Sequence, residues 1–277
     1  MSSSERQRAL VLEQFAQRAE AFATAPAIAN EEALRLLVTL SEASSRDTVL
    51  DVACGAGLVV CAFAEAVQAA VGIDLTPAMI DRARALQLQK GLQNVTWRVG
   101  DVLPLPFPTG SFSIVTSRYA FHHFENPAAV LAEMKRVCQP GGKIVLADVQ
   151  ASADPENASA LNRMEKLRDP SHVRAMPLAE LEFMLGAADL KVTRRAFYSI
   201  EFDLEQVLQG SSPNPGDAEK VRQLFAEELT RPRMDLRARR VGDAIRFAYP
   251  IMVLVAENHS PVAGRPLGST TASEPLA

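Results

Sequence analysis

Short apolar runs alternate with longer amphipathic stretches through the first half of the chain. Runs rich in β-branched residues predict strands at residues 48–53, 70–74, 95–99, 112–117 and 143–149. Apolar positions at helical spacing predict helices at residues 5–22, 31–40, from 58 onward, 77–90 and 127–138. Because each buried strand feeds a helix, this order predicts a parallel sheet covered by helices on both faces.

Residues with restricted backbone preferences mark the ends of these helices. Asn30 precedes the second helix and is a favoured N-cap, and Pro77 stands at the first position of a later helix. Pro127 opens the last helix of this half, and the run Pro140–Gly142 is expected to stop it before the fifth strand begins.

The pattern changes after the fifth strand. Residues 151–176 are polar and predict helical or irregular structure, and residues 178–187 predict a helix. Alternating positions predict a strand at residues 190–200 and a long final strand at 244–256. The stretch between them, residues 201–241, is expected to be an inserted helical region.

Composition allows a large buried core and argues against several classes of protein. The 277 residues are 48% hydrophobic and 22% charged, as in folded domains, and a net charge of −4 disfavours a nucleic-acid-binding surface. Three cysteines do not make a disulfide scaffold and fit a reducing compartment. No secretory signal is visible, and Glu65 and Gln68 interrupt the longest apolar stretch, so we expect a cytoplasmic protein without a membrane span.

A glycine-containing turn follows the first strand, with Asp51 inside the strand and Gly55 and Gly57 in the turn. Glycines at this place let the backbone approach a ligand and leave room for the next helix to pack. A pyrophosphate site would need a third glycine where Val60 stands, and the carboxylate of Asp51 suits a cationic ligand better. The alternative is a tight turn that binds no ligand.

Acidic residues stand at the ends of three successive strands, at Asp51, Asp74 and Asp101. The carboxyl ends of parallel strands form the crevice in which open α/β sheets bind ligands. Asp74 stands where Rossmann-like sites keep a carboxylate for the ribose hydroxyls, and Asp101 is placed to accept a hydrogen bond from an adenine amino group. Any one of them alone would be explained equally well as a helix cap or a turn residue.

The chain resembles the class I S-adenosylmethionine-dependent methyltransferases, in the broad group that contains the ubiquinone and menaquinone C-methyltransferases. The resemblance extends over residues 15–257 and is carried by residues 49–57, 71–74, 76–79, 100–101, 105–107, 117–124, 136–142 and 168–172. It implies a Rossmann-like, seven-stranded, mostly parallel α/β sheet with an antiparallel last strand and a helical lid.

The resemblance also implies a set of residues that bind S-adenosyl-L-methionine. They are Asp51, Ala53, Gly55, Gly57, Asp74, Leu75, Met79, Gly100, Asp101, Val102 and Arg118. The glycine loop is expected to wall the methionine moiety, Asp74 to hold the ribose, and Leu75 with Met79 to cover the adenine. Ala53 stands where the family often has glycine.

The same resemblance suggests how the chain is divided. We expect a single methyltransferase domain over residues 1–258, followed by a disordered tail at 259–277, which is rich in Pro, Gly, Ser and Thr. Within the domain, the expected parts are N-terminal helices at 1–45, a cofactor-binding core at 46–150 and lid segments at 151–187 and 201–241.

Histidines are the candidate catalytic bases. Methyl transfer from a sulfonium needs mostly proximity and alignment, and a base is required only if the acceptor loses a proton. The candidates are His122, His123 and His172. If the segment is extended, adjacent side chains cannot both point into one cleft, so we expect at most one of the first pair to be catalytic and favour His123. The alternatives are a pair packed under the cofactor loop and a turn in which Asp169 holds His172.

Other chemistry has little support in the sequence. No Cys-x-x-Cys or His-Glu-x-x-His spacing indicates a metal site. The arginines of residues 231–240 suggest either a solvated, salt-bridged face or a clamp for an anionic acceptor. They lack the interleaved aromatic residues expected for binding single-stranded nucleic acid.

The main hypothesis is therefore methyl transfer to a small-molecule acceptor, which releases S-adenosyl-L-homocysteine. One interpretation of several phenylalanines is that they face a quinone-like or other largely apolar acceptor, and core packing explains them equally well. They are Phe15, Phe22, Phe121, Phe124, Phe197 and Phe202. A cofactor-dependent enzyme that catalyses cyclisation or hydrolysis is the second hypothesis, and a non-catalytic cofactor-binding partner is the third. A homodimer is conceivable.

Overall fold

The protein is described by a computed structural model that covers residues 2–24 and 28–259. Its α-helices are α1 (Ser3–Thr24), α2 (Glu31–Leu40), α3 (Leu58–Ala64), α4 (Pro77–Lys90), α5 (Pro127–Val137), α6 (Pro155–Arg168), α7 (Leu178–Ala187), α8 (Leu204–Gln209) and α9 (Asp217–Glu228). Its strands are β1 (Thr48–Val52), β2 (Ala69–Asp74), β3 (Val95–Val99), β4 (Phe112–Arg118), β5 (Cys138–Ala151), β6 (Met176–Pro177), β7 (Leu190–Asp203), β8 (Arg239–Val241) and β9 (Ala244–Asn258).

The strands form one sheet, and its main path runs β3-β2-β1-β4-β5-β9-β7. Strands β1 to β5 pair in parallel, whereas β9 runs antiparallel to both β5 and β7. This arrangement confirms the predicted α/β fold with an antiparallel last strand. The main path has the seven strands that were predicted. Within the described residues, two short strands, β6 and β8, pair in addition with β5 and β9.

Most of the predicted elements are confirmed. Helix α2 has the predicted bounds, and the Asn30 side chain accepts a hydrogen bond from the Ala33 N–H at 3.0 Å. Helix α4 also begins at Pro77 as predicted. In the polar stretch after β5, helix α6 is capped by Asp154, whose carboxylate accepts two backbone N–H bonds.

Two predicted boundaries are wrong. Strand β5 begins at Cys138 rather than after Gly142, because Cys138 already pairs with Phe112 across an irregular step in the ladder. Strand β7 continues to Asp203, since the long partner strand β9 supplies pairing residues as far as Arg246. The region expected to be helical, 201–241, therefore begins in strand β7 and ends in strand β8, with α8 and α9 between them. Residues 260–277, where a disordered tail was predicted, lie outside the described residues.

Side chains alternate between the two faces of the sheet. On one face, Leu50 and Val52 pack in a cluster with residues of α5 and α7. On the other, Val49 packs with residues of α2 and α3. Burying each such side chain stabilises the fold by roughly 1.5–3 kcal/mol relative to leaving it in water. Both faces are thus covered, and the carboxyl ends of the strands are left for a site.

A third apolar cluster holds the segments that follow β5. It joins residues of α6, α8 and α9 to the first half of β9, with Phe225 and Phe247 fully buried. No helix in the described part of the chain is long and apolar enough to cross a membrane.

Candidate active site

The turn between β1 and α3 has an unusual backbone. Ala53, Gly55 and Gly57 all have positive φ angles, of 57°, 52° and 82°. A Cβ atom added to Gly57 would lie 2.4 Å from the Trp97 ring, so packing as well as the backbone excludes a side chain there. The positive φ of Ala53 costs less with glycine, which accounts for the glycine common at this position in the family that the sequence resembles.

The first cavity, of about 440 Å³, opens at the carboxyl ends of the strands, against α1. Most of the predicted cofactor-binding residues line it: Asp51, Ala53, Gly55, Asp74, Leu75, Met79, Asp101, Val102 and Arg118. Gly57 and Gly100 do not. Gly57 faces Trp97, and a Cβ on Gly100 would contact Ile73 at 3.3 Å. The fold therefore gathers most of the predicted set around one volume.

Two buried polar atoms in the first cavity have no hydrogen-bond partner among the described residues. They are Oδ1 of Asp51 and Nη1 of Arg118. Burial raises the pKa of Asp51 well above its ordinary value, and the charge of Arg118 offsets only part of that shift. An unsatisfied acceptor and an unsatisfied donor in one cavity match a ligand with an ammonium and a carboxylate, as in the methionine moiety of S-adenosylmethionine.

Asp74 is held in place by the two turns beside it. Its carboxylate accepts the N–H groups of Gly55 and Thr76, each at 2.8 Å. Burial raises its pKa, and these two bonds oppose the shift. Each carboxylate oxygen has a second lone pair, so Asp74 can still accept hydrogen bonds from two ribose hydroxyls.

Helix α1 lies against the same crevice, and its contacts there were not predicted from the sequence. Arg8 pairs with Asp101 at 2.9 Å, so one oxygen of the carboxylate predicted to face adenine is held by α1. Gln7 donates to the carbonyl oxygens of His123 and Ser171 at 3.0 and 2.6 Å. No short motif marks these polar positions, because the helix is amphipathic only weakly and its partners are distant in sequence.

The second cavity, of about 520 Å³, adjoins the first. Phe15, Tyr119 and His123 line both cavities. The remaining wall comes from α1, the residue Ile28 before α2, the end of β5 and the segments after it. It combines apolar with charged side chains: Ile28, Val149, Ile200, Phe202, Val207, Ile251, Arg18, Glu165, Arg168, Asp169 and Arg246. Its volume is in the range of small-molecule sites.

The three candidate histidines meet at the second cavity. Residues Phe121–His123 form a turn of 3₁₀-helix, so the segment is not extended, and the geometric premise for admitting only one of the two histidines to the cleft is wrong. His122 and His123 both line this cavity, with ring centroids 4.2 Å apart. His172 also lines it, and its ring centroid lies 5.5 Å from that of His122.

Hydrogen bonds determine the proton positions of His123. The Ser171 hydroxyl donates to Asp169 at 2.6 Å, so its oxygen can only accept from Nδ1 of His123 at 3.2 Å. The Ser171 carbonyl oxygen accepts from the same nitrogen at 3.1 Å. Nδ1 therefore carries the proton and Nε2 keeps a lone pair. Burial and the neighbouring His122 lower the pKa of His123 to about 3, so the ring is neutral.

His172 is likewise neutral, with the opposite tautomer. Asn162 accepts the Ala175 N–H at 2.7 Å through Oδ1, so the same oxygen accepts from Nε2 of His172 at 2.8 Å. Burial lowers the pKa of His172 far below its ordinary value. Its backbone N–H donates to the Asp169 carbonyl oxygen at 2.9 Å, so the turn expected at Asp169 forms through the backbone.

His122 differs from the other two because it has a carboxylate partner. Its Nδ1 lies 2.6 Å from Oδ1 of Asp148, and its backbone N–H donates to Oδ2 at 3.1 Å. Burial lowers the pKa of His122, but the charge and the hydrogen bond of Asp148 outweigh burial and leave the pKa raised. Sequence reasoning missed Asp148, although an acidic residue inside the apolar run 143–149 was the available signal.

A buried ionic network lines the second cavity beside the histidines, since Ser171 contacts both His123 and Asp169. Arg18 of α1 pairs with Asp169 at 2.8 Å, and Arg168 pairs with Glu165 at 2.6 Å. Tyr249 donates its hydroxyl to the same Glu165. Arg18 and Asp169 lie 151 positions apart and Tyr249 and Glu165 lie 84 apart, so no local motif could have revealed these two contacts. Arg168 and Glu165, in contrast, are neighbours on α6.

The arginine-rich residues 231–240 do not line either cavity. Arg239 pairs with Glu201 at 2.8 Å on the surface, as expected for a salt-bridged face. Within the described ranges, no group of three or more His, Cys, Asp and Glu side chains is arranged to hold a metal ion.

Comparisons with known proteins agree with this geometry. The family profile described as "Methyltransferase domain" matches residues 50–146. The uncharacterized methyltransferase YcgJ of Bacillus subtilis (strain 168) is 37% identical over 176 residues, which is 64% of this chain and 70% of that protein. The demethylmenaquinone methyltransferase of Deinococcus radiodurans is 41% identical over 106 residues, or 38% of this chain and 44% of that enzyme.

A solved structure extends the match to most of the chain. A candidate methyltransferase from Bacillus halodurans C-125 superposes with a TM-score of 0.77 at 28% identity. The superposition covers 83% of this chain and 100% of that protein. The strand order, the first cavity and the family match therefore agree, and the chain belongs to the class I S-adenosylmethionine-dependent methyltransferases.

Proposed function

We propose that this protein transfers a methyl group from S-adenosyl-L-methionine in the first cavity to a small-molecule acceptor in the second cavity. The observation that carries the proposal is that Phe15, Tyr119 and His123 line both cavities. A cofactor and an acceptor bound in these adjoining volumes would meet at that shared wall, where a short transfer distance is the main requirement of the reaction.

The residues of the first cavity fit the cofactor group by group. The unsatisfied oxygen of Asp51 would accept the ammonium group, and the unsatisfied nitrogen of Arg118 would donate to the carboxylate. Asp74 would accept the ribose hydroxyls, while Leu75 and Met79 offer apolar surface to the adenine. The bound cofactor supplies a methyl carbon that is made electrophilic by a positively charged sulfur.

The protein's own contribution is alignment and exclusion of water. Arg118 lies over the Tyr119 ring, with its guanidinium carbon 4.6 Å from the ring centroid, and Tyr119 bonds Tyr198 through their hydroxyls at 2.6 Å. Phe15 of α1 packs edge-on against His123 with centroids 5.1 Å apart. These contacts give the boundary between the cavities fixed walls, and a fixed near-attack geometry lowers the entropic part of the barrier.

The second cavity suggests the kind of acceptor. Its apolar side chains suit a hydrophobic body, and the histidines and the ionic network offer polar contacts at its rim. The Deinococcus radiodurans relative is named a demethylmenaquinone methyltransferase, which supports a quinone-like acceptor. We therefore propose a largely apolar ring compound that carries at least one polar group.

The test begins with cofactor binding. Calorimetry with S-adenosylmethionine and S-adenosylhomocysteine should show saturable binding that Asp74→Ala abolishes. The matched control is Asp81→Ala on the exposed side of α4, which should bind like the wild type. A folded wild type that binds neither compound would overturn the proposal.

The second stage distinguishes methyl transfer from the other reactions of this fold. The protein is incubated with S-adenosylmethionine and a panel of phenols, quinols, amines and thiols, and S-adenosylhomocysteine is measured by mass spectrometry. Equal amounts of S-adenosylhomocysteine and methylated acceptor support methyl transfer. A converted acceptor without S-adenosylhomocysteine would favour a non-transfer reaction instead.

A further inference from the structure

We propose that His122 and Asp148 form a general-base dyad, and that the acceptor class is a compound with an ionisable hydroxyl, a phenol or an enol, which gives its proton to Nε2 of His122. The inference rests on the proposed function and names its substrate class and base. It is carried by the position of His122, which lines the second cavity. Its ring lies beside that of His123, a residue of the wall that both cavities share, with the ring centroids 4.2 Å apart.

The dyad fixes which nitrogen of His122 is basic. Asp148 accepts from Nδ1 at 2.6 Å, so the neutral ring carries its proton there and has a lone pair on Nε2. The structure records no hydrogen bond to Nε2 from the described residues, while 11% of the side chain remains exposed at the cavity. The lone pair is therefore available to a bound acceptor.

Asp148 is itself rigidly placed. Besides the two bonds from His122, its Oδ1 accepts the N–H of Val149 at 2.7 Å, and the residue is 4% exposed. It lies on β5, paired with Met252 of β9 in the middle of the sheet. A carboxylate held this firmly orients the imidazole and stabilises the imidazolium that forms when the base takes a proton.

The groups around His122 make its ring easier to protonate than the rings of His123 and His172. The groups that face it are Asp148 from β5, Glu165 from α6, Asp169 after α6, and the rings of His123 and His172. The carboxylates raise the pKa of His122, whereas burial and His122 itself lower the pKa values of His123 and His172. Only one of the three rings is therefore suited to take a proton near neutral pH.

His123 has a complementary role as a positioning residue. Its proton is held on Nδ1 by Ser171, so its Nε2 is a neutral hydrogen-bond acceptor on the wall that both cavities share. A second acceptor nitrogen beside the base suits a ligand with hydroxyl groups, since hydroxyls can donate to both rings.

The proton transfer defines the substrate class. The O–H bond of the acceptor breaks and its electron pair stays on oxygen, while the proton forms a new bond with the Nε2 lone pair and later leaves to water. An ordinary phenol has a pKa of about 10 and is mostly un-ionised at neutral pH, so a base of this kind increases its nucleophilicity. The oxyanion, or the ring carbon that shares its charge, is then the nucleophile.

The first experiment reports proton transfer without turnover. The probe is 4-nitrophenol, whose phenolate is yellow, titrated into the protein saturated with S-adenosylhomocysteine at a series of pH values. We expect the bound probe to ionise at a lower pH than the free probe. The shift should vanish in His122→Gln and shrink in Asp148→Asn. The control His259→Gln, on an exposed side chain, should behave like the wild type.

The second experiment uses an acceptor found in the screen of the proposed function. The rate constant kcat/KM should rise with pH along a limb set by His122. His122→Gln should remove that limb and lower the rate by about 10²–10⁴-fold, the usual contribution of a general base. Asp148→Asn should move the limb to lower pH, because His122 loses the charge that raises its pKa.

The outcomes separate this inference from the proposed function. Calorimetric binding of S-adenosylhomocysteine by each variant shows that the first cavity is intact. If His122→Gln does not fold, Asp148→Asn carries the test, since its amide keeps the shape of the carboxylate. An unshifted bound probe, or a shift that persists in His122→Gln, would overturn the dyad while leaving methyl transfer standing. Absence of cofactor binding in the wild type would remove both.

Discussion

Replacing Asp51 by Asn should change ligand binding and stability in opposite directions. The side chain is 1% exposed, its Oδ1 has no hydrogen-bond partner among the described residues, and burial raises its pKa. In the ligand-free protein, the carboxylate is a desolvated acceptor that costs about 1–3 kcal/mol. In the complex, the same oxygen would accept a charge-assisted hydrogen bond from the cofactor's ammonium group.

The magnitudes follow from these two states. Loss of a hydrogen bond between charged groups costs about 1.5–3 kcal/mol, so Asp51→Asn should weaken S-adenosylmethionine binding by about 10- to 150-fold. The ligand-free variant should be more stable than the wild type by about 1 kcal/mol, because an amide is less costly to bury than a carboxylate. Calorimetry measures the first effect and denaturant unfolding the second.

The pH dependence of stability gives a further check on the direction of the Asp51→Asn effect. Because the folded pKa of Asp51 is raised, the wild type has its full stability below the ordinary carboxyl pKa and loses stability as pH rises through the folded pKa. The advantage of the Asn variant should therefore be smallest in acid and grow with pH. An Asn variant that is less stable at neutral pH and binds the cofactor as tightly as the wild type would refute the reasoning.

Three further substitutions test the packing around the site. Gly57→Ala should destabilise the fold by about 1–3 kcal/mol, since the residue has a φ of 82° and its Cβ would meet Trp97. Unfolding in urea measures this loss of stability, and an unchanged midpoint would contradict the prediction. Arg18→Met should cost about 3–5 kcal/mol because it leaves the buried Asp169 without its ion pair, and a thermal melt with little change would show the pair to be dispensable. Asn30→Ala should cost about 0.5–2 kcal/mol through the lost helix cap, whereas Asn30→Ser should restore most of it.

Local patterns in the sequence were enough to predict most of the helices and strands and several residues that line the first cavity. Alternating apolar positions specify which faces are buried, and Asn30 and Pro77 mark helix starts through their own backbone chemistry. The strand-end carboxylates Asp51 and Asp74 could be placed together because consecutive parallel strands end at one edge of a sheet. Such inferences need only short stretches of chain and the fixed periods of helix and strand.

Only the tertiary structure revealed the second cavity and the contacts between the polar side chains that line it. The partnership of His122 with Asp148 depends on a 3₁₀ turn after β4 lying beside β5, and the pair of Arg18 with Asp169 joins residues 151 positions apart. Residue types and spacing do not encode such contacts, since they arise from the order of strands in the sheet and the packing of α1 and α6 across it. The sequence by itself thus predicted most of the residues that line the first cavity, whereas three-dimensional packing determined which histidine is paired with a carboxylate and where the second cavity lies.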